Sequence, residues 1–278
     1  MLTNYIDKTQ QSAANNGKNC TIRTSASLLL TGLISFNAIA SDSDSFAPGD
    51  SGSKWVVGGY VGSFNNPLIG EGREGYAGLN IEYRGEKLFV KDNELGYNLY
   101  RNAEFSVGVL LTGNGSLLSD KNDYKNNSKL VGLKERDGTL DAGFYLMHKN
   151  ERGRLKVKLL DEITGKHSGM SANVDYMFDY KVSDWNITPY LGANWNSANM
   201  VNHFYGVSIA EATVNRAAYS GNSTVNLYTG INGRYDITPH WDIEVGASYI
   251  HIGKGIRDSS IVNDSHVIAS HVGVNYNF

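Results

Sequence analysis

The chain has 278 residues, with 25 basic against 28 acidic side chains and no basic run, so its charge gives no support to nucleic-acid binding. Gly 31 and Tyr 17 against Pro 4, with a negative mean hydropathy, suit many short strands and polar turns rather than helices. Beyond the first forty residues no apolar run reaches the length of a membrane helix, so any crossing must be made by strands.

At the start, Lys18 and Arg23 precede the apolar stretch from Ser25 to Phe36, and Ala38-Ile39-Ala40 places small residues at both sides of an A-x-A pattern. Residues 1–40 are predicted to be a signal peptide cleaved before Ser41, and 41–53 a polar linker. Cys20, the single cysteine, lies in this leader and before its apolar core, which argues against a lipoprotein site and leaves the mature chain without a thiol. Removing Lys8, Lys18, Arg23 and Asp7 takes the formal net charge from −3 to −5.

From residue 54 the pattern predicts strands near 54–63, 75–84, 86–91, 95–101, 104–112, 138–148, 153–162, 170–180, 185–196, 224–235, 240–251 and 266–278. Twelve is an even number, as bacterial single-chain barrels require. With both ends in the periplasm, the connections near 84–86, 102–103, 149–152, 181–184 and 236–239 are short. Those near 64–74, 113–137, 163–169, 197–223 and 252–265 are longer and face outward, and only 92–94 is short on that side.

Parity along the strands divides the side chains. One face carries Leu79, Ile81 and Tyr83, then Leu140, Ala142, Phe144 and Leu146, then Ile243, Val245, Ala247 and Tyr249. The other carries the charges Glu82, Arg84, Asp141, Lys156, Lys158, Asp175, Asp179, Arg234, Asp242 and Glu244. A lipid-facing band around a polar lumen produces this division, and so does a sandwich with one solvated face. The aromatics separate the two: Tyr83, Tyr180, Tyr235 and Phe278 end descending strands and Trp55, Trp185 and Trp241 begin ascending ones, all at the level of a periplasmic girdle. The last strand alternates to the chain end, with Tyr276 and Phe278 on the apolar face, and resembles the assembly signal of outer-membrane barrels. The lumen charges offer either selection of a permeating solute or mutual pairing that fills the lumen.

Ser208-Ile209-Ala210-Glu211 fits a capping box and predicts a helix from Ser208 to about Tyr219, stopped near Gly221. His203 with Ser208, and His266 or His271 with Ser265 or Ser270, supply residue types for a serine nucleophile and base, but no third partner or nucleophile motif surrounds them. The seven histidines include no i, i+4 pair and have no cysteine partners, so neither a metal nor another cofactor is expected.

Several segments together resemble the MipA/OmpV family of outer-membrane proteins: Tyr205-Gly206-Val207-Ser208, Asp258-Ser259-Ser260-Ile261-Val262, Leu130-Val131-Gly132-Leu133, and the closing Val272-Gly273-Val274-Asn275-Tyr276-Asn277-Phe278. The chain departs from that family's usual pattern in the order Phe204-Tyr205, in Ser260 where a proline is common, and in a first outer loop that keeps only Pro67. The resemblance implies an all-β, closed antiparallel transmembrane barrel without catalytic residues, in contact with outer-membrane lipid and the assembly machinery. It further implies a scaffold role linking a lytic transglycosylase to a peptidoglycan synthase, with a surface antigen or adhesin as another family role. A narrow diffusion channel is the alternative, and a monomer is expected.

Overall fold

The computed structural model describes residues 55–91 and 93–278, together with the backbone of Thr21–Arg23. The rest of the predicted leader and linker lies outside the described residues. The strands are β1 (Thr21–Arg23), β2 (Trp55–Asn65), β3 (Arg73–Arg84), β4 (Leu88–Lys91), β5 (Glu94–Arg101), β6 (Phe105–Asn114), β7 (Thr139–Asn150), β8 (Gly153–Glu162), β9 (Met170–Phe178), β10 (Tyr180–Val182), β11 (Trp185–Asn196), β12 (Thr224–Asp236), β13 (Trp241–His251) and β14 (His266–Asn277). Three helices stand in the long loops: α1 (Lys121–Tyr124), α2 (Ala198–Tyr205) and α3 (Lys254–Arg257).

Twelve strands close an antiparallel barrel in the order β3-β2-β14-β13-β12-β11-β9-β8-β7-β6-β5-β4, with β4 returning to β3. No helix among the described residues is long and apolar enough to cross a membrane. The chain end seals against the first barrel strand: Val56 to Phe64 pair with Asn277 to Ala269, and the Phe278 amide donates to the Trp55 carbonyl at 3.0 Å. Side chains alternate along the long barrel strands. On β6, Ser106, Leu110, Thr112 and Asn114 are buried inward while Phe105 faces out, the period of two that a pleated wall imposes.

Glycine makes room for rings in the narrow lumen. Tyr190 and Gly230 are cross-strand partners, as are Gly192 and Tyr228, so each of these two tyrosines lies over a glycine of the other strand. A Cβ at either glycine would run into the facing ring.

The predicted strand at 170–180 is interrupted at Asp179, and β10 resumes it to extend the hairpin with β11, Tyr180 pairing with Ile187 and Val182 with Trp185. The predicted helix from Ser208 is not formed. The capping box is present, but it closes a single 3-10 turn at Ile209–Glu211. The β-branched Thr213 and Val214 favour extended backbone. Arg216 takes the Glu211 carbonyl with Nε and Nη2 at 3.0 and 2.7 Å, and Val207 and Tyr219 exchange backbone bonds across the loop. The helix of this loop is α2, whose Met200, Val201, Phe204 and Tyr205 are buried at helical spacing.

One interface of the wall differs from the others. β3 and β4 register only at Tyr83 with Val90 and Arg84 with Phe89, at the end with short turns. On its other edge β3 pairs with β2 over its whole length, from Tyr83–Trp55 to Arg73–Asn65.

Candidate functional site: the lumen and its outer cap

The lumen is built from the inward register of each strand, and its charges meet in local pairs. On β5, Glu94 lies between Lys156 and Lys158 of β8, at 3.4 and 2.7 Å, with all three buried. Two strands, β6 and β7, stand between them in the wall, so this triad is a strut across the inside of the barrel. Arg154 of β8 forks onto Asp179, Nε and Nη2 reaching the two carboxylate oxygens at 3.0 and 2.7 Å. Arg84 binds its strand neighbour Glu82 at 3.0 Å, and Arg234 stands 3.5 Å from Asp236.

Other carboxylates are held by neutral donors. Asp242 accepts from the amides of Asn275 and Asn277 at 2.9 and 2.7 Å. Asp175 accepts from the Tyr228 hydroxyl, and Asp141 from the Asn114 side-chain amide and the Thr139 hydroxyl. Glu244 and His271 face one another at 3.6 Å. Parity placed these carboxylates and lysines on the lumen side, but it missed Glu94 and Arg154 as their partners. The signal was available: Glu94 continues the inward register of Gly96 and Asn98, and Arg154 that of Lys156 and Lys158.

At the short-turn end, the seven aromatics named from the sequence form neighbouring pairs. Trp55 and Tyr83 have ring centroids 4.8 Å apart, Trp185 and Tyr235 5.3 Å, Trp241 and Tyr276 5.0 Å, and Tyr276 and Phe278 4.8 Å. Tyr180 stacks on Phe178. Amphipathic rings in such a belt suit the boundary between hydrocarbon and headgroups.

At the other end the long loops fold inward over the mouth. Leu118, Tyr124, Leu130 and Leu133 of the 115–138 loop pack with Phe204, Tyr205 and Val207 of the 197–223 loop, and with Ile256, Ile261 and Val262 of the last loop. This apolar core reaches down to Tyr190, Tyr228 and Ile250 on the barrel wall. The segments singled out in the sequence meet here. Ser259 Oγ donates to the Tyr205 carbonyl at 2.6 Å, Arg216 Nη1 donates to the Lys129 and Val131 carbonyls at 2.8 and 3.2 Å, and Arg136 Nη2 donates to the Gly206 carbonyl at 2.8 Å. Gly132 has φ +88, a left-handed conformation that favours glycine.

Glu211 is the polar keystone of the cap. Its carboxylate accepts from the Lys134 amide at 2.9 Å and the Ser208 amide and hydroxyl at 3.0 and 2.7 Å, and Arg136 stands 3.1 Å away. Burial pushes its pKa up, but these donors outweigh burial and bring it down to about 2. Burial raises the Tyr205 hydroxyl well above the ordinary tyrosine value. Of the serines and histidines weighed as a nucleophile pair, Ser208 donates to Glu211, and His203 Nε2 meets the Asp137 carbonyl at 3.0 Å. His266 stacks on Tyr249.

Comparison with known proteins agrees with this architecture. The chain is 26% identical to outer membrane protein Omp26La of Vibrio anguillarum over 229 residues, covering 81% of this chain and 87% of that one. It is 24% identical to the MltA-interacting protein of Escherichia coli K12, covering 81% and 90% of the two chains. It is 26% identical to outer membrane protein OmpV of Vibrio cholerae, covering 78% and 85%. These relatives and the barrel place the protein in a Gram-negative outer membrane, where the short turns face the periplasm and the capped mouth faces out. The family profile described as MltA-interacting protein MipA matches residues 57–278, and the chain belongs to that family.

Proposed function

We propose that this barrel is a non-enzymatic interaction protein of the cell envelope, whose periplasmic rim engages a peptidoglycan-remodelling enzyme of the MltA type. The observation that carries this reading is the outer cap. A mouth filled by packed aromatic and aliphatic side chains from three loops favours a fixed platform over a through-passage for solutes. The MltA-interacting protein of Escherichia coli supplies the kind of partner, a lytic transglycosylase. The periplasmic end offers surface for it: β10 extends the β9–β11 hairpin, and Val182 and Ile237 keep large exposed apolar side chains in the rim.

The test uses the chain purified from outer membranes and immobilised, with an MltA-type lytic transglycosylase passed over it. Saturable capture that is lost in the double variant Val182→Asp, Ile237→Asp supports the rim as the platform. In the same preparation a planar bilayer should stay silent. Steady, ion-selective current steps that change when Lys156 and Lys158 are neutralised would overturn the platform reading in favour of a channel.

A further inference from the structure

The aromatic girdle at the short-turn end has a polar counterpart at the other side of the membrane. Ten residues along the strand from Tyr83, Tyr276 and Trp241, the side chains of the same outward parity are Arg73 on β3, His266 on β14 and His251 on β13. Ten residues rise about 33 Å along a strand, or about 25 Å in height at the tilt of a membrane barrel, which is the height of its apolar band. These three side chains therefore stand where the hydrocarbon of the outer leaflet gives way to headgroups. The same step from Trp185, Tyr235 and Tyr180 reaches Trp195, Val225 and Met170 on β11, β12 and β9. Compared with that part of the wall, the β13-β14-β2-β3 sector is the basic one at this level.

The row is held in place by its neighbours. His251 and His266 are direct cross-strand partners. The Ile252 amide donates to the Ser265 carbonyl at 2.9 Å, which makes the histidines a non-hydrogen-bonded pair, the kind whose side chains lie closest. Tyr249 stacks on the His266 ring with centroids 5.6 Å apart. Asn65 ties the outer end of β14 to β2, donating to the His266 carbonyl and accepting from the Ile268 amide. On the far side of β2, the exposed Arg73 donates from Nε and Nη2 to Ser63 Oγ at 3.2 and 3.0 Å. No carboxylate pairs with Arg73, His251 or His266 among the described residues. On the membrane side of the row Val61, Ile268 and Val272 are exposed.

We propose that this sector is a binding site for the phosphorylated glycolipid of the outer leaflet. One headgroup phosphate sits at Arg73, a second at the His251–His266 pair, and the acyl chains lie on Val61, Ile268 and Val272. Each part of such a molecule meets its own chemistry. The guanidinium forks onto a phosphate with two parallel bonds, each imidazole offers a ring N–H, and the chains stay in hydrocarbon. The two ends of the row are two strand spacings apart, about 10 Å across β2. That separation suits a disaccharide phosphorylated at both ends, whereas a diacyl phospholipid, with one phosphate, reaches one end only. The site does not depend on whether the periplasmic rim binds a cell-wall enzyme.

The test incubates the folded barrel in detergent micelles with lipopolysaccharide of defined structure and weighs the intact complex by native mass spectrometry. The proposal expects a retained glycolipid whose affinity falls about tenfold in Arg73→Gln, the scale of one lost charged hydrogen bond, and falls likewise in the double variant His251→Gln, His266→Gln. The same glycolipid stripped of its phosphates should be held weakly by the unsubstituted chain, with no further loss in either variant. Equal retention of the stripped form or of a diacyl phospholipid would overturn the proposal, and so would retention that neither variant changes. Displacement of the glycolipid by inorganic phosphate would also overturn it and leave a site for the free anion. Heat-modifiable gel mobility reports whether the variants are folded, and if they are not, the comparison of intact with stripped glycolipid on the unsubstituted chain decides alone.

Discussion

Glu94 on β5 and Lys158 on β8 form a 2.7 Å ion pair across two intervening strands, and Lys156 joins it from the same side at 3.4 Å. One carboxylate thus serves two ammonium groups, and the two kinds of deletion are unequal. Glu94→Ala leaves two buried lysines facing each other and should cost about 3–5 kcal/mol, the usual penalty for breaking a buried pair. Lys156→Met leaves the shorter contact with Lys158 intact and should cost clearly less. Urea unfolding in lipid vesicles, followed by tryptophan fluorescence, checks the order, and equal losses would mean the triad does not act as one strut.

The outer cap should fail separately from the wall. Leu130 is fully buried in the core shared by the loops, away from any strand register. Leu130→Ala should remove about 2–5 kcal/mol from that core. The barrel's hydrogen-bonded ladder does not pass through it, so the loss should appear as faster hydrogen exchange and protease cutting in 115–138 and 197–223, with heat-modifiable mobility unchanged. Protection lost evenly through β6 and β7 would show that cap and wall fold as one unit.

The wall was legible in the sequence because a period of two leaves a mark at every residue. The positions of Leu79 and Glu82, or of Phe144 and Asp141, follow from parity once a strand is recognised. Partner choice across the lumen was not legible. Parity says that Glu94 and Lys158 point inward, but their meeting depends on the stagger of β5 through β8, which no local pattern encodes. The outer loop misled for a related reason. The Ser208–Glu211 box is a true local signal for a helical start, but the contacts that end it after one turn come from Arg216 and from the carbonyl groups of the 115–138 loop. The two bases of α2 in the sequence, Ser197 at its start and the Met200, Val201, Phe204, Tyr205 spacing, were present but lay inside a segment read as loop.

The crossed tyrosine and glycine pairs of β11 and β12 give a test of lumen packing. A methyl group at Gly192 would run into the Tyr228 ring, which is held on its far side by Asp175. Gly192→Ala should therefore destabilise the barrel by about 1–3 kcal/mol, an overpacking cost. Removing the ring makes room, so Gly192→Ala combined with Tyr228→Ala should cost less than the sum of the two single substitutions. A double-mutant cycle in vesicle unfolding measures the difference. Strict additivity would mean that the backbone gives way at Gly192 without help from Tyr228.

Acid should open the loop face in two stages, because two loop groups titrate in different windows. His167, in the connection between β8 and β9, has its pKa lowered from 6.5 by burial first and by the neighbouring His203 second; the two rings have centroids 4.9 Å apart. A base with a lowered folded pKa takes up its proton more readily unfolded, so stability falls as pH drops below about 6.5 and levels off once the folded form is also protonated. The neutral ring accepts the Gly169 amide at Nδ1, a bond that protonation there removes. Glu211 has the opposite charge type and a later window. Its pKa near 2, against 4.5 unperturbed, means its contribution is complete above about 4.5 and is lost as pH falls toward 2. Hydrogen exchange should thus rise first in 163–169 between pH 7 and 5, and in 197–223 only below about 4.5. His167→Gln should abolish the first stage and leave the second, while Glu211→Gln should do the reverse and weaken the cap already at neutral pH. A single transition shared by both loops, or one unmoved by either substitution, would assign the acid response to other groups.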